Sequence, residues 1–214
     1  MAFTRTSREE EEFRRFRYPD TDVLINKLEI RDPAELEMAE RTLARERATS
    51  GFPPATRQLT YESFKAIHHH LFQDVYDWAA QIRTYTTGRD VAPFAVPEFI
   101  DRSMQRQFDK LERWKGLRTA SPKEFTAGAA ELVNEINAVH PFIEGNGRAQ
   151  RARLRLLAAR AGFELTLRSE DRAAWYEASR LGFIDQNHGP MERLLLQSIR
   201  DRSASRDRSA DIDR

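Results

Sequence analysis

The 214-residue chain contains no cysteine. Disulfide bonds and thiolate chemistry are therefore excluded, which fits a reducing compartment. The sequence also lacks an unbroken apolar run near the roughly 18 residues that a membrane-spanning helix needs. Its N-terminus lacks the apolar core of a secretory signal. We therefore expect a cytoplasmic protein with no membrane partner, while export by a signal outside these rules stays open.

The chain also lacks an excess of charge of either sign. Its 35 Lys and Arg residues nearly balance 34 Asp and Glu residues, so the net charge is +1. A molecule without a strong field of one sign has no bulk attraction for a nucleic-acid backbone. We therefore expect no direct nucleic-acid partner.

Apolar residues are scarce at both ends of the chain. Residues 1–17 are crowded with Arg and Glu and are predicted to form a solvated helix or a loose arm. Residues 200–214 alternate Arg, Asp and Ser, can bury nothing, and are predicted to be a disordered charged tail. Residues 18–199 are predicted to be one domain, because a chain of this length can enclose one sizeable core.

Helix-start signals followed by apolar residues at helical spacing predict an all-α domain. Six helices are predicted in this way, beginning near Asp32, Thr60, Ser121, Gly147, Ser169 and Pro190. One of them is expected to stop at Gly162, where glycine suits a left-handed exit from a helix. Another is expected to end near Gly182. Residues 83–97 break the pattern, because threonines and aromatic residues flank Gly88, which is typical of a short hairpin.

A glycine-rich segment between two predicted helices has the residues that phosphate chemistry requires. The first helix is expected to end near His140, because the proline that follows disfavours helical geometry. The turn Gly145-Asn146-Gly147 then lets backbone N–H groups converge where the next helix begins, and that helix end carries positive partial charge. His140 stands at the mouth of this turn, where it can take a proton from an attacking hydroxyl group.

Charged side chains on both sides of the turn extend this prediction. Arg148 and Arg151 are three residues apart on one helix face, so their guanidinium groups can grip a di- or triphosphate. Glu144 precedes the turn, where a carboxylate can hold a magnesium ion that bridges phosphates. Taken singly, these features have plainer interpretations: a structural histidine, two solvated arginines and an ordinary turn. Their conjunction within twelve residues favours phosphoryl chemistry.

The segment His140-Pro-Phe-Ile-Glu-Gly-Asn-Gly-Arg-Ala-Gln-Arg151 resembles the signature of the Fic family. That signature reads His, any, Phe, any, Asp or Glu, Gly-Asn-Gly-Arg, two of any, Arg, and every fixed position is filled. Residues 18–28 resemble the lead-in of bacterial toxin-type members, and residues 70–83 resemble the helix before their flap. The likeness extends over about residues 18–199.

This resemblance implies a Fic-fold helical bundle with a short β-hairpin flap beside the active-site loop. It also implies transfer of AMP from ATP to a Tyr, Thr or Ser hydroxyl of a target protein. The implied roles are a general base at His140, a Mg²⁺ ligand at Glu144, an anion hole at Gly145, Asn146 and Gly147, a β-phosphate contact at Arg148 and a γ-phosphate contact at Arg151. Asn146 is expected to hold phosphate oxygens.

The flap and the inhibitor are further expectations from the resemblance. In the family, an extended target segment adds to the flap edge, and Arg89 and Phe94 are our candidates for clamping it. The alternative is a plain surface hairpin with Phe94 packed inward. Family members are often restrained by an inhibitory helix with the pattern Ser or Thr, three of any, Glu, then Gly or Asn. This sequence has no complete copy of that pattern, because Arg47 follows Thr42–Glu46 where Gly or Asn is required. The resemblance therefore implies a separate small antitoxin that pairs with Arg151.

Several functions stay open at this point. The first is a toxin-like adenylyltransferase, with DNA gyrase and topoisomerase IV as plausible targets. The second is a host-directed effector with the same chemistry, exported by a type IV secretion system. Related kinases replace the second glycine of the turn by lysine, so Gly147 argues for AMP transfer. The last alternative is a non-catalytic nucleotide-binding module, which the intact motif disfavours.

Overall fold

A computed structural model describes residues 4–89, 92–168 and 170–201. Over these ranges the chain forms eight α-helices, two short 3-10 helices and four short strands. The helices are α1 Ser7–Arg15, α2 Pro33–Thr49, α3 Tyr61–Phe72, α4 Pro97–Arg113, α5 Pro122–Val139, α6 Asn146–Arg160, α7 Arg172–Ile184 and α8 Gly189–Ser198. The 3-10 helices are Pro54–Arg57 and Lys115–Leu117. The predicted all-α class is therefore confirmed.

Side-chain caps explain why several helices begin where the sequence predicts. The Asp32 carboxylate accepts the N–H of Glu35 at 2.8 Å, and α2 begins directly after it. Thr60 caps α3 in the same way. At α5, the Ser121 hydroxyl and the Glu124 carboxylate each accept the other residue's backbone N–H, which forms a capping box. Each cap satisfies N–H groups that the first helical turn leaves without a partner.

Helix α7 can be compared with the prediction at both of its ends. The helix begins at Arg172 after an Asp171 cap, and the predicted start, Ser169, lies outside the described residues. The helix ends at Ile184, two residues beyond Gly182, close to the predicted end. A Cβ at Gly182 would lie 2.2 Å from the Asn134 side chain, so close packing explains this glycine.

Helix α4 was not predicted, although it has a clear apolar stripe. Ile100, Met104, Phe108 and Leu111 recur at helical spacing and are almost completely buried. Among the described helices, none is long and apolar enough to cross a membrane.

The strands form two small antiparallel sheets. In the predicted hairpin, β1 Gly88–Arg89 pairs with β2 Ala92–Pro93. The second sheet was not predicted, and it joins β3 Phe163–Leu165 to β4 Ile199–Asp201. Two residues that the sequence assigned to the charged tail thus belong to a strand. The rest of that tail, residues 202–214, lies outside the described residues.

The chain divides into two compact units. The first unit is Met1–Arg106 with Val139–Ala149, and the second unit is Gln107–Ala138 with Gln150–Arg214. In the first unit, aromatic rings pack in a chain that includes Phe64–Phe142 at 5.4 Å and Tyr76–Trp78 at 4.0 Å between centroids. In the second unit, Phe125 packs on Phe163, and other buried residues are Leu157, Trp175, Met191 and Leu195. Trp78 and Trp175 are both buried core residues.

Candidate active site

The loop between α5 and α6 contains most of the predicted site. The chain leaves α5 at His140, whose φ of 50° lies in the left-handed region that few residues other than glycine adopt. The loop then turns at Gly145, which has a φ of 81°. A Cβ at Gly145 would lie 2.4 Å from the ring of Phe72, so both backbone conformation and space require glycine there.

The Asn146 side chain closes this loop from inside. Its carboxamide oxygen accepts the N–H of Phe142 at 2.9 Å, and its nitrogen donates to the carbonyl of Phe142 at 2.8 Å. Asn146 is buried, so its side chain is used to shape the loop. In the described part of the chain, no hydrogen bond involves the backbone N–H groups of Asn146 and Gly147. These groups begin helix α6 and are suited to an anion.

His68 of α3 supports the loop from below and was missed as a site residue. Its Nδ1 accepts the N–H of Ala80 at 2.9 Å, so the ring proton resides on Nε2, which donates to the carbonyl of Glu144 at 2.8 Å. Its ring also packs 3.9 Å from that of Phe142. Burial lowers the pKa of His68 to about 4, so the ring is neutral at physiological pH.

Arg83 connects the loop to the lead-in of the hairpin. Its guanidinium group donates to the carbonyls of His140 at 2.7 Å, Tyr85 at 2.7 Å and Val139 at 3.0 Å, and also to that of Ala95. Two of these carbonyls lie at the C-terminal end of α5, where a cation is electrostatically favourable. Burial lowers the pKa of Arg83 to about 10, so the guanidinium group remains charged at neutral pH.

The hairpin lies against His140 through Phe94. The two rings stack at 4.0 Å with an interplanar angle of 1°. Phe94 is only 5% exposed, so its ring packs inward. This burial agrees with the alternative prediction of a surface hairpin with Phe94 packed inward. The Arg89 guanidinium lies 5.8 Å from the centre of the Phe94 ring. That Arg89 and Phe94 clamp a target segment stays a prediction.

Glu144 and Arg148 lie side by side at the start of α6. Glu144 Oε1 accepts the N–H of Gly145 at 2.7 Å and lies 3.4 Å from Arg148 Nη2. The same arginine nitrogen forms an ion pair with Glu40 of α2. In the described residues there is no cluster of three or more metal-binding side chains. The half-exposed Glu144 carboxylate nevertheless fits Mg²⁺, which is commonly held by one or two carboxylates together with substrate phosphates.

Arg151 lies on α6, three residues after Arg148, and belongs to the second unit. Its guanidinium group lies 5.8 Å from the ring of Trp175. Burial, with smaller effects from the charges of Arg155 and Arg172, lowers the pKa of Arg151 to about 10. Arg151 therefore remains a cation at neutral pH. No ion pair of Arg151 with a described carboxylate is found, which suits a residue that meets an anionic ligand.

These features define a class of site. The first unit brings together His140, Glu144, the α6 N-terminus with Arg148, and the hairpin residue Phe94. Arg151 follows along the same helix. Within the first unit, a histidine in the loop before a helix start that carries an arginine is suited to proton transfer next to bound phosphates.

Comparison with known proteins identifies the family. Residues 58–158 match the model of the Fic/DOC family. A Sinorhizobium fredii relative named "Probable protein adenylyltransferase y4lH" is 42% identical over 149 residues, which is 69% of this chain and 77% of the relative. The Escherichia coli protein named "Probable protein adenylyltransferase Fic" is 32% identical over 77% of this chain and 82% of its own length. The chain belongs to the Fic/DOC family.

A solved structure agrees with this assignment. The N-terminal Fic domain of a VirB-translocated Bep effector protein from Bartonella quintana, crystallised with bound ADP, superposes with a TM-score of 0.77. The two sequences are 25% identical, and the match covers 89% of this chain and 96% of that domain. The predicted Fic fold is therefore confirmed.

Proposed function

We propose that this chain is a protein adenylyltransferase that transfers AMP from ATP to a hydroxyl side chain of a target protein. The names of the two curated relatives support this activity, and the ADP bound to the Bartonella quintana domain supports an adenine nucleotide as ligand. The observation that carries the proposal is the loop between α5 and α6, where His140 stands beside the α6 N-terminus.

In the proposed reaction, His140 accepts the proton of the target hydroxyl. The hydroxyl oxygen then forms a bond to the α-phosphorus of ATP, the bond between that phosphorus and the oxygen bridging to the β-phosphate breaks, and pyrophosphate leaves. The loop contributes mainly orientation and charge neutralisation, which are the dominant requirements of phosphoryl transfer. Stacking of the His140 ring on Phe94 fixes the plane of the base.

The phosphates would be bound at the start of α6. The N–H groups of Asn146 and Gly147 would donate to phosphate oxygens, so that Asn146 contributes through its backbone while its side chain shapes the loop. Arg148 would contact the β-phosphate and Arg151 the γ-phosphate. Glu144 would hold Mg²⁺, which neutralises charge on the leaving pyrophosphate. Gly147 leaves room for this binding mode, whereas lysine at that position would support the kinase alternative.

The hairpin is the proposed docking surface for the target. Strands β1 and β2 are two residues each, and an extended peptide can add to a strand edge through main-chain hydrogen bonds. The hairpin lies directly against His140 through Phe94, which would bring a docked hydroxyl close to the base. Arg89 is our candidate for contacting the docked segment.

We further propose a cytoplasmic, toxin-type enzyme that a separate small antitoxin restrains by pairing with Arg151. DNA gyrase and topoisomerase IV are the proposed targets. The lack of a complete inhibitory motif in this sequence supports a separate inhibitor. The effector character of the Bartonella quintana protein keeps a secreted, host-directed enzyme as the second candidate.

Labelling of proteins in a bacterial lysate tests the proposed chemistry. Parallel reactions with Mg²⁺ contain ATP labelled at the α- or the γ-phosphate. We expect label on protein from the α-phosphate only, and we expect His140→Ala to abolish it while ATP binding persists. His69→Ala, an exposed histidine on α3, is the matched control and should label normally. Label from the γ-phosphate would instead identify a kinase, and full activity of His140→Ala would disprove the assigned base.

A further inference from the structure

Glu40 is a buried carboxylate that the proposed reaction does not use. It lies on α2 between Leu36 and Ala44, on the helix face that packs inward, and only 5% of it is exposed. A buried charge is costly unless its partners compensate it. The partners of Glu40 must therefore compensate its charge for a carboxylate to be stable on this inward face of α2.

Both oxygens of the Glu40 carboxylate have a partner in the first unit. Oε1 forms an ion pair with Nη2 of Arg148, and Oε2 accepts a hydrogen bond from the hydroxyl of Tyr76. Tyr76 is itself fixed by stacking on Trp78 at 4.0 Å. Glu40 is thus held rigidly and can hold Arg148 in turn.

Arg148 has a second carboxylate within reach. The same Nη2 atom lies 3.4 Å from Oε1 of Glu144, the proposed Mg²⁺ ligand. The Arg148 guanidinium also lies 4.7 Å from the centre of the Phe72 ring, which supports it from one side. Glu40 and Glu144 both form ion pairs with Arg148, so loss of Glu40 would favour the pair with Glu144. Closure of that pair would occupy both the phosphate contact and the metal ligand.

We propose that Glu40 is a positioning residue that fixes Arg148 for phosphate binding and limits its pairing with Glu144 to one long contact. The inference rests on the proposed nucleotide site. Glu40 itself does not touch the nucleotide and acts through Arg148, with Tyr76 as its support. Because Glu40 is buried and both of its oxygens are used, it sets the direction of the guanidinium more strictly than the half-exposed Glu144 can.

The test measures ATP binding by calorimetry, with and without Mg²⁺, for the wild-type chain and Glu40→Gln. We expect Glu40→Gln to weaken ATP binding about tenfold and to raise the Mg²⁺ concentration needed for half-maximal binding. Glu37→Gln is the matched control, because Glu37 lies on the same helix and pairs with Arg41 at the surface. That control should bind ATP like the wild type.

Two further variants separate positioning from loss of fold. Tyr76→Phe removes the second contact of Glu40 without removing charge, so it should shift ATP affinity in the same direction by a smaller factor. In an Arg148→Ala background, adding Glu40→Gln should change ATP affinity no further, because the effect passes through Arg148. Thermal unfolding of each variant reports whether the fold is retained.

Three outcomes would overturn the inference. If Glu40→Gln binds ATP as tightly as Glu37→Gln, Glu40 has no positioning role. AMP transfer by the wild type would then leave the proposed function intact. Tighter binding by Glu40→Gln would mean that Glu40 withholds Arg148 from phosphate. Failure of the wild-type chain to bind ATP with Mg²⁺ would overturn the proposed function together with this inference.

Discussion

His68 is a buried, uncharged histidine that joins α3 to the loop that contains the proposed base. Its two ring nitrogens are both used, one by the N–H of Ala80 and one by the carbonyl of Glu144. The sequence showed three consecutive histidines and gave no reason to distinguish them. His69 is exposed and His70 bonds the carbonyl of Arg47, so only His68 reaches the loop.

Replacing His68 by alanine should weaken both the fold and the site. The change leaves two partly buried backbone groups without their partner and opens a cavity beside Phe142, so we expect the free energy of unfolding to fall by about 2–4 kcal/mol. AMP transfer should fall with it, since the Glu144 carbonyl loses its support. Chemical denaturation and the labelling assay measure the two effects. Equal behaviour of His68→Ala and the exposed control His69→Ala would contradict this role.

At the scale of elements, the hairpin and the loop are connected by Arg83. One planar guanidinium group reaches carbonyls before the hairpin, after it and at the end of α5. Further contacts run in parallel, because the N–H of Arg83 donates to the carbonyl of Pro141 at 3.0 Å and Ile82 forms a β-bridge with Phe142. The proposed docking surface and the proposed base are therefore parts of one connected structure.

Arg83→Lys should loosen this connection while keeping the charge. Lysine has no planar fork and cannot satisfy the same set of carbonyls, so we expect a loss of about 2–3 kcal/mol in unfolding free energy. Hydrogen exchange should become faster in residues 83–95, and AMP transfer should fall more than ATP binding. The matched control is Arg102→Lys at an exposed position of α4. Unchanged exchange in residues 83–95 would argue against a coupling role.

Helix α1 is attached to the chain by polar contacts, because none of its residues is buried. The Glu9 carboxylate accepts the backbone N–H of Thr86 at 2.8 Å and also the Thr86 hydroxyl. Arg5 donates to the carbonyl of Thr86 at 2.8 Å, and the ring of Phe13 packs edge-on against Tyr85. The hydrogen bonds from Thr86, with those from Thr6, lower the pKa of Glu9 to about 2.

This lowered pKa predicts an acid-sensitive contact. A carboxyl group with a depressed pKa stabilises the fold above its ordinary pKa of 4.5, and that contribution is lost as the pH falls towards about 2. Allowing for solvent screening, we expect Glu9→Gln to cost about 1 kcal/mol at neutral pH and the difference from wild type to vanish near pH 2. Urea unfolding at several pH values measures this. The exposed Glu11→Gln is the control, and a pH-independent difference would contradict the prediction.

At the scale of the whole molecule, the proposed chemistry occupies a small part of the chain. Residues 140–151 supply every predicted catalytic and phosphate-binding group, and helix α6 extends from the first unit into the second. The residues that support this segment come from α2, α3 and the hairpin lead-in. The proposed target is a separate protein, which the labelling experiment followed by mass spectrometry can identify.

Helix starts and the proposed chemistry of the site could be predicted from the sequence, because both are local. A cap such as Asp32 acts on an N–H three residues away, and the twelve-residue motif contains the proposed base, the proposed metal ligand, the turn and the arginines in order. Helix α4 was missed although its apolar stripe is regular. The second sheet was missed because its strands are three residues long and pair across more than thirty positions.

The supporting contacts were decided only by the tertiary structure. Glu40 meets Arg148, His68 meets the Glu144 carbonyl 76 positions away, and Arg83 meets the His140 carbonyl 57 positions away. Such contacts depend on how helices pack, and no local pattern specifies them. The sequence by itself thus determined which chemical groups form the proposed site, because they lie within twelve residues of one another. Packing alone decided which buried polar residues hold those groups in place, because their partners are distant along the chain.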